Sequence, residues 1–198
     1  MQLTIEHARM VLIALFIAFL VAIVLIAVFL RKKNWMNSLI YFFSLLYSVP
    51  SYAFFALLIP ITGLGETTAI IVLAFYNEYV LLRTFITGIR EVDPNYIKVA
   101  RGMGMTQEEI FTKVQLPLSM PAIFSGLQVA LASTMAIATI ASTISAGGLG
   151  DLMFEGLQTG RVVSILWGTI LTVALTLVCI VILKLIENLV ISDGLEKS

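Results

Sequence analysis

Most kinds of site chemistry lack their usual residues in this sequence. One cysteine and one histidine occur in 198 residues, so neither a disulfide framework nor a Cys/His zinc site can be assembled. There is no GxxxxGK[ST] loop to cradle the phosphates of ATP, and no GxSxG or HExxH pattern. The chain is therefore not expected to be an enzyme or to hold a metal or cofactor of its own. Charge is scarce as well. Asp, Glu, Lys and Arg make up 12% of the residues, against about 25% in soluble domains. The 12 basic and 12 acidic residues cancel, which leaves no basic excess of the kind that holds nucleic acid. With 60% hydrophobic residues and a mean hydropathy of +1.03, the main solvent of this chain is lipid.

The positions of the charges define the organisation. Segments 10–30, 34–65, 114–150 and 162–183 contain no Asp, Glu, Lys or Arg, and each exceeds the roughly 20 residues that cross a bilayer as a helix. A fifth apolar segment, 67–89, contains Glu78 and Arg83. The expectation is an all-α integral membrane protein with a single domain over 1–198 and spans near 9–30, 37–62, 67–89, 119–146 and 162–186. The first apolar run is longer than the 7–15 residues usual in a signal peptide, and its basic cluster follows it, so it is expected to be a retained span.

Segment 90–113 holds eight charges, Arg90, Glu91, Asp93, Lys98, Arg101, Glu108, Glu109 and Lys113. With five spans it falls on the same side as Arg31, Lys32, Lys33 and the tail residue Lys197. Arg9 and Arg161 alone fall on the other side. The positive-inside rule then places the N-terminus outside and the island and C-terminus in the cytoplasm.

Within the island, Asp93 followed by Pro94 is a helix start, with Asp as N-cap and Pro in the first turn. Gly102 and Gly104 stop that helix. Thr106 and Glu109 form a capping-box pattern, which predicts a second short helix to about Gln115, ending before Leu116-Pro117. Such a unit has too little core to stand alone and suits a docking element for a cytoplasmic partner. A solvated connecting loop is the bland alternative.

These residues resemble the cytoplasmic loop of bacterial ATP-binding-cassette (ABC) importer permeases, with its pattern E-A-A, three residues, G, nine residues, I-x-L-P. Lys98, Val99, Ala100, Gly104, Val114, Leu116 and Pro117 occupy the patterned positions. Lys98 for Glu and Val99 for Ala depart from it. Val49-Pro50-Ser51, Leu58 through Gly65, Asp93-Pro94, Ala100 through Met105, and Ala146-Gly147-Gly148-Leu149-Gly150-Asp151 are similar to one subgroup, the osmoprotectant permeases for glycine betaine, carnitine or choline. The glycine segment is also similar to methionine-importer permeases.

The resemblance implies the type I ABC importer permease fold, with a coupling loop over 90–117 that meets the ATPase through Asp93, Pro94, Lys98, Val99, Ala100, Arg101, Gly102, Gly104, Leu116 and Pro117. It implies a second permease, either another copy or a homologue, a dimer of cytoplasmic ATPases carrying ATP and Mg, and an extracytoplasmic substrate-binding protein. The location implied is the bacterial cell membrane. A secondary carrier or channel subunit is the alternative from another class, but no paired internal repeat supports it; a structural membrane-assembly protein is a weaker one.

Several residues inside the apolar segments are candidates for the translocation path or gate: Tyr47, Ser51, Tyr52, Tyr76, Glu78, Gly147, Gly148 and Gly150. An intramembrane carboxylate usually faces protein or water. Glu78 has three readings: lining the path, pairing with a charge on the partner permease, or resting as a neutral acid against a neighbouring helix. Arg83 is expected to snorkel toward the cytoplasmic interface. The tyrosines suit either cation–π recognition of a quaternary ammonium or ordinary packing. Pro50 and Pro60 are expected to break the second span, either as a kink or beside a cavity. The small residues Ala130, Ala132, Ser133, Ala136, Ala138, Ala141 and Ser142 make the fourth span a candidate dimer interface or pore wall. Cys179 is expected to be a packed or lipid-facing thiol, and His7 an interfacial residue.

Overall fold

The computed structural model describes residues 1–29 and 32–191, apart from the Lys33 side chain. Arg31 and Lys197, both used in the orientation argument, lie outside the described residues. The described chain is helical: α1 (Gln2–Phe29), α2 (Lys33–Tyr47), α3 (Ser51–Thr62), α4 (Glu66–Arg90), α5 (Pro94–Gly102), α6 (Gln107–Ile110), α7 (Leu116–Ala141), α8 (Gly150–Thr159) and α9 (Val162–Val190). Four stretches are long and apolar enough to cross a membrane: α1, α4, the continuous run Gln107–Ile144 that includes α7, and α9. The pair α2 and α3 brings the number to five if it counts as one broken span.

Helix α4 is the centre of the bundle and packs against α7, α1, α2 and α3. It buries Val72, Leu73, Leu81, Leu82, Phe85 and Ile86. Helix α1 lies along it through a stripe at helical spacing, Met10, Val11, Ala14, Ala18 and Ala22, each no more than 1% exposed. The small side chains let the two backbones approach, while Leu12, Phe16, Leu20 and Val24 point away from the bundle and are exposed. In α9 only Gly168 and Thr172 are buried, so most of its surface is left for lipid or for another chain.

Contact between α4 and α7 is closer still. A methyl group placed on Gly126 would lie 2.1 Å from Thr84 Oγ1, and one on Gly88 would lie 2.5 Å from the Ala122 Cβ. The small-residue stretch of the fourth span is thus largely used within this chain. Ala130, Ala138 and Ala141 are buried in its own core; Ala132, Ser133 and Ser142 are half-buried, and Ala136 alone is exposed.

The second apolar segment is not one straight span. It turns by 96° between α2 and α3, and neither helix alone reaches the length of a crossing. Pro50 marks the break, with an extended φ, ψ of −56°, 130°. Pro60 does not break α3, which continues to Thr62. Only two residues follow it in the helix, so the lost amide bond is confined to the last turn.

In the island, Asp93 Oδ1 accepts from the Asn95 amide at 2.8 Å and Pro94 sits in the first turn of α5. The Thr106 hydroxyl accepts from the Glu109 amide at 3.3 Å, and Glu109 Oε2 accepts from the Thr106 amide at 3.0 Å. The two short helices start where the cap pattern places them. The expected stop before Leu116-Pro117 does not occur. A π-helical turn over Phe111–Gln115 joins α6 to α7, with the Leu116 amide bonding to the Phe111 carbonyl five residues back. That widened turn admits Pro117, which has no amide hydrogen to place in the regular ladder.

Candidate functional site

The coupling-loop candidates Asp93, Pro94, Lys98, Val99, Ala100, Arg101, Gly102 and Gly104 all lie on α5 or its ends. Ala100 is 4% exposed and anchors the helix. Tyr96, Val99 and Met103, at i, i+3 and i+7, are 51%, 62% and 77% exposed. Lys98, Arg101 and Gly102 are exposed around them. The outer surface of α5 is therefore an apolar stripe bordered by two cations. The sequence reading singled out Val99 but passed over Tyr96 and Met103. Their helical spacing was a usable signal, but which side of α5 faces the body depends on tertiary packing. Leu116 and Pro117 stand apart at the start of α7, half-buried.

Gly104 ends this unit at φ +83°, and a Cβ there would meet nothing within 4 Å. Its requirement is thus conformational. Met103 and Met105 close the turn onto the Val99 and Ala100 carbonyls at 3.0 and 3.1 Å. Gly104→Val is expected to cost roughly 1–2 kcal/mol at this left-handed position. It should lower the thermal midpoint of the solubilised protein; an unchanged midpoint would show that the turn does not need the left-handed conformation.

A cleft of about 410 Å³ lies beside α5, lined by Gly88, Glu91, Asp93, Tyr96, Leu118 and Pro121 among others. It joins the end of α4 to the start of α7, so a body seated on α5 would also reach the two helices that form the core.

The membrane candidates separate into three places. Tyr47 and Tyr76 come together at 5.5 Å between ring centroids, with Tyr79 4.9 Å from Tyr47 and Phe54 5.9 Å from Tyr76. The Tyr76 hydroxyl donates to the Val49 carbonyl, which ties α4 to the break between α2 and α3. Ser51 is half-buried at the start of α3, and Tyr52 is 62% exposed, with no ring contact among the described residues. Arg83 is exposed and contacts Tyr79. Its guanidinium donates to the Tyr79 hydroxyl one turn back and lies 5.8 Å from that ring's centroid.

Glu78 lies two residues from Tyr76, about 200° around the helix, and lines a cavity that Tyr76 does not. It is 4% exposed. Neighbouring Asn77 is also buried, and its Oδ1 accepts from Thr134 of α7 at 2.7 Å.

Gly147, Gly148 and Gly150 form the third place, in the turn from α7 to α8. Gly147 and Gly148 have φ of +77° and +89°. A Cβ on Gly148 would lie 2.9 Å from His7 Nδ1, and one on Gly150 would lie 2.0 Å from the Thr139 carbonyl oxygen. The loop is thereby held down on α1 and on the end of α7. His7 is fully buried, rather than interfacial, and its Nε2 donates to the Met135 carbonyl at 3.2 Å. Nearby, burial and the Glu6 carboxylate hold the Asp151 carboxyl above its ordinary range. Arg9 clamps Glu66 with a charge-assisted contact of 2.6 Å. Arg9 is exposed and Glu66 half-buried, so Arg9→Ala is expected to change stability by about 1 kcal/mol or less, checked by thermal unfolding of the solubilised protein.

No group of three or more His, Cys, Asp or Glu among the described residues is placed to hold a metal. The chain matches the family described as Binding-protein-dependent transport system inner membrane component over residues 13–192. It is 34% identical to the choline transport system permease protein OpuBB of Bacillus subtilis (strain 168), over 98% of this chain and 89% of that one. It is also 34% identical to the glycine betaine/carnitine/choline transport system permease protein OpuCB of the same organism, over 96% and 88%. Among solved structures, the MetNI methionine ABC transporter in an inward-facing conformation superposes with a TM-score of 0.79 over 93% of both chains at 21% identity.

Proposed function

This chain belongs to the family of binding-protein-dependent transport system inner membrane components, and on that premise we propose that it forms the translocation path of an ATP-driven importer for a quaternary ammonium osmoprotectant. The observation that carries the reading is the exposed apolar stripe of Tyr96, Val99 and Met103 on a helix anchored to the body at the flanking Ala100. A water-facing helix with that pattern needs a protein to cover it. The partner is a cytoplasmic ATPase, which carries the ATP and Mg that this chain has no loop to bind.

Coupling follows from rigidity. Helix α5 is capped at both ends and joined to α4 on one side and to the α6–α7 run on the other. A displacement of α5 is therefore passed directly to the two helices packed at Gly126 and Gly88. ATP binding closes the ATPase pair and favours one of two permease arrangements; hydrolysis restores the other. A second permease completes the pore, and a substrate-binding protein delivers the solute on the outer side, where the glycine turn and α8 lie. The N-terminus is outside and the C-terminus cytoplasmic.

The substrate class comes from the relatives, whose names give choline, glycine betaine and carnitine. Cells that depend on this transporter are expected to accumulate labelled choline, glycine betaine or carnitine in an ATP-dependent way. Uptake of methionine alone would replace the osmoprotectant reading with the amino-acid one. Uptake that persists when the ATPase is inactivated would exclude an ABC importer.

A further inference from the structure

Both carboxylate oxygens of Glu78 are buried, and neither meets a hydrogen-bond partner among the described residues. A buried carboxylate is normally matched by a basic side chain or by amide donors. Here Glu78 lines a cavity of about 260 Å³ between α1, α2 and α4, together with Ile17, Val21, Phe43, Ala74 and Phe75 among others. The rings of Phe43 and Phe75 stand 6.4 Å apart. The cavity thus combines one negative group, two aromatic rings and aliphatic walls.

That combination restricts the ligand. The ligand that matches it is a cation, because positive charge offsets an ionised carboxylate in such surroundings, as a proton otherwise would. A primary ammonium brings three N–H donors and a guanidinium five, and the walls offer no further acceptors, so donors would be left unsatisfied at a cost. A quaternary ammonium has no N–H at all. Its methyl groups suit aliphatic walls, its charge is attracted by aromatic faces, and it needs no direct hydrogen bond to feel a carboxylate set just behind the wall.

We propose that the Glu78 cavity is a binding site for quaternary ammonium compounds within the permease itself. The inference rests on the osmoprotectant reading and adds a position in this chain where the cationic head of the substrate is held. Tyr47 and Tyr76, the more obvious aromatic pair, are not among the residues lining this cavity; they pack on each other, and the Tyr76 hydroxyl is bonded to the Val49 carbonyl.

The test uses the assembled transporter in lipid nanodiscs without its binding protein, alongside uptake by the complete system. Wild type is expected to bind labelled choline or glycine betaine. Glu78→Gln should weaken binding at least tenfold and Phe75→Leu at least threefold, and 3,3-dimethylbutanol, the uncharged isostere of choline, should fail to compete. Co-elution with the ATPase monitors assembly. Where Glu78→Gln does not assemble, Phe43→Leu, Phe75→Leu and the isostere decide the matter. Wild-type affinity in an assembled Glu78→Gln complex, unchanged binding in both Phe variants, or full competition by the isostere would overturn the site. So would a complex that takes up choline yet binds none without its binding protein. Absence of uptake for every quaternary ammonium tested would instead remove the functional reading on which the site rests.

Discussion

Replacing Val99 and Met103 together with glutamate is expected to abolish transport by uncoupling the permease from its ATPase. The two side chains are 62% and 77% exposed in the isolated chain, so their substitution removes nothing from its core. Burying each against a partner contributes about 1.5–3 kcal/mol. Losing both therefore costs at least roughly 3 kcal/mol, or on the order of a hundredfold in affinity at 1.4 kcal/mol per tenfold. Burial of two unpaired carboxylates in the contact adds to that loss. Co-purification of the ATPase measures the effect, with membrane abundance of the permease as the control. Retention of the ATPase at wild-type stoichiometry together with normal uptake would mean that this face of α5 meets water in the working transporter. Lys98→Ala tests the rim of the same surface, and exposed charges of that kind are worth less than about 1 kcal/mol. The contrast between stripe and rim separates apolar docking from electrostatic attraction.

Gly126→Leu is expected to prevent accumulation of folded protein. The first carbon of the new side chain would lie 2.1 Å from Thr84 Oγ1, 2.8 Å from Thr84 Cβ and 3.4 Å from a ring carbon of Phe85. Neither neighbour can yield easily. The Thr84 hydroxyl is bonded to the Val80 carbonyl at 2.8 Å, and Phe85 is 3% exposed in the core. Overpacking typically costs 1–3 kcal/mol where the core can adjust; separating α4 from α7 to make room costs more, because the close contact at Gly88 and Ala122 opens as well. Gly126→Ala should be milder but still destabilising, and Thr84→Ala should restore it in part, since it removes the hydroxyl but leaves Cβ in place. Size-exclusion profiles and thermal midpoints of the solubilised variants report the order. Equal stability of wild type and Gly126→Leu would mean that the two helices do not meet at this point.

Much of the α5–α6 unit was legible in one dimension because its signals are local. Asp93-Pro94 and Thr106 with Glu109 act within a single turn of backbone, and both caps form as the sequence implies. The stop at Leu116-Pro117 was not legible in the same way. Proline forbids one amide bond, but a π-helical turn beside it lets the helix continue, and that accommodation depends on how the joined α6–α7 run packs. His7 shows a similar divide. A lone histidine near the start of an apolar helix suits a membrane interface, yet it is buried because the glycine turn from the far end of α7 folds over it. The tyrosines and Glu78 carry the contrast furthest. All are candidates for one path, but residues two apart on a helix point to opposite sides, so Tyr76 packs on Tyr47 and Phe54 while Glu78 lines a cavity.

The sparse charge and its placement determined, without any coordinates, that this is a multi-pass helical membrane protein with one charged island between its spans. Bilayer insertion depends on the length and polarity of each segment, which are properties of sequence alone. Tertiary structure decided which side of each helix is spent on this chain and which is left for partners. Helix α4 takes up the small residues of α1 and α7, so the fourth span is largely consumed at home. Meanwhile α5 keeps Ala100 inward and turns Tyr96, Val99 and Met103 outward. Amphipathic spacing gives the width of a stripe, but only packing against a neighbour selects which face remains free.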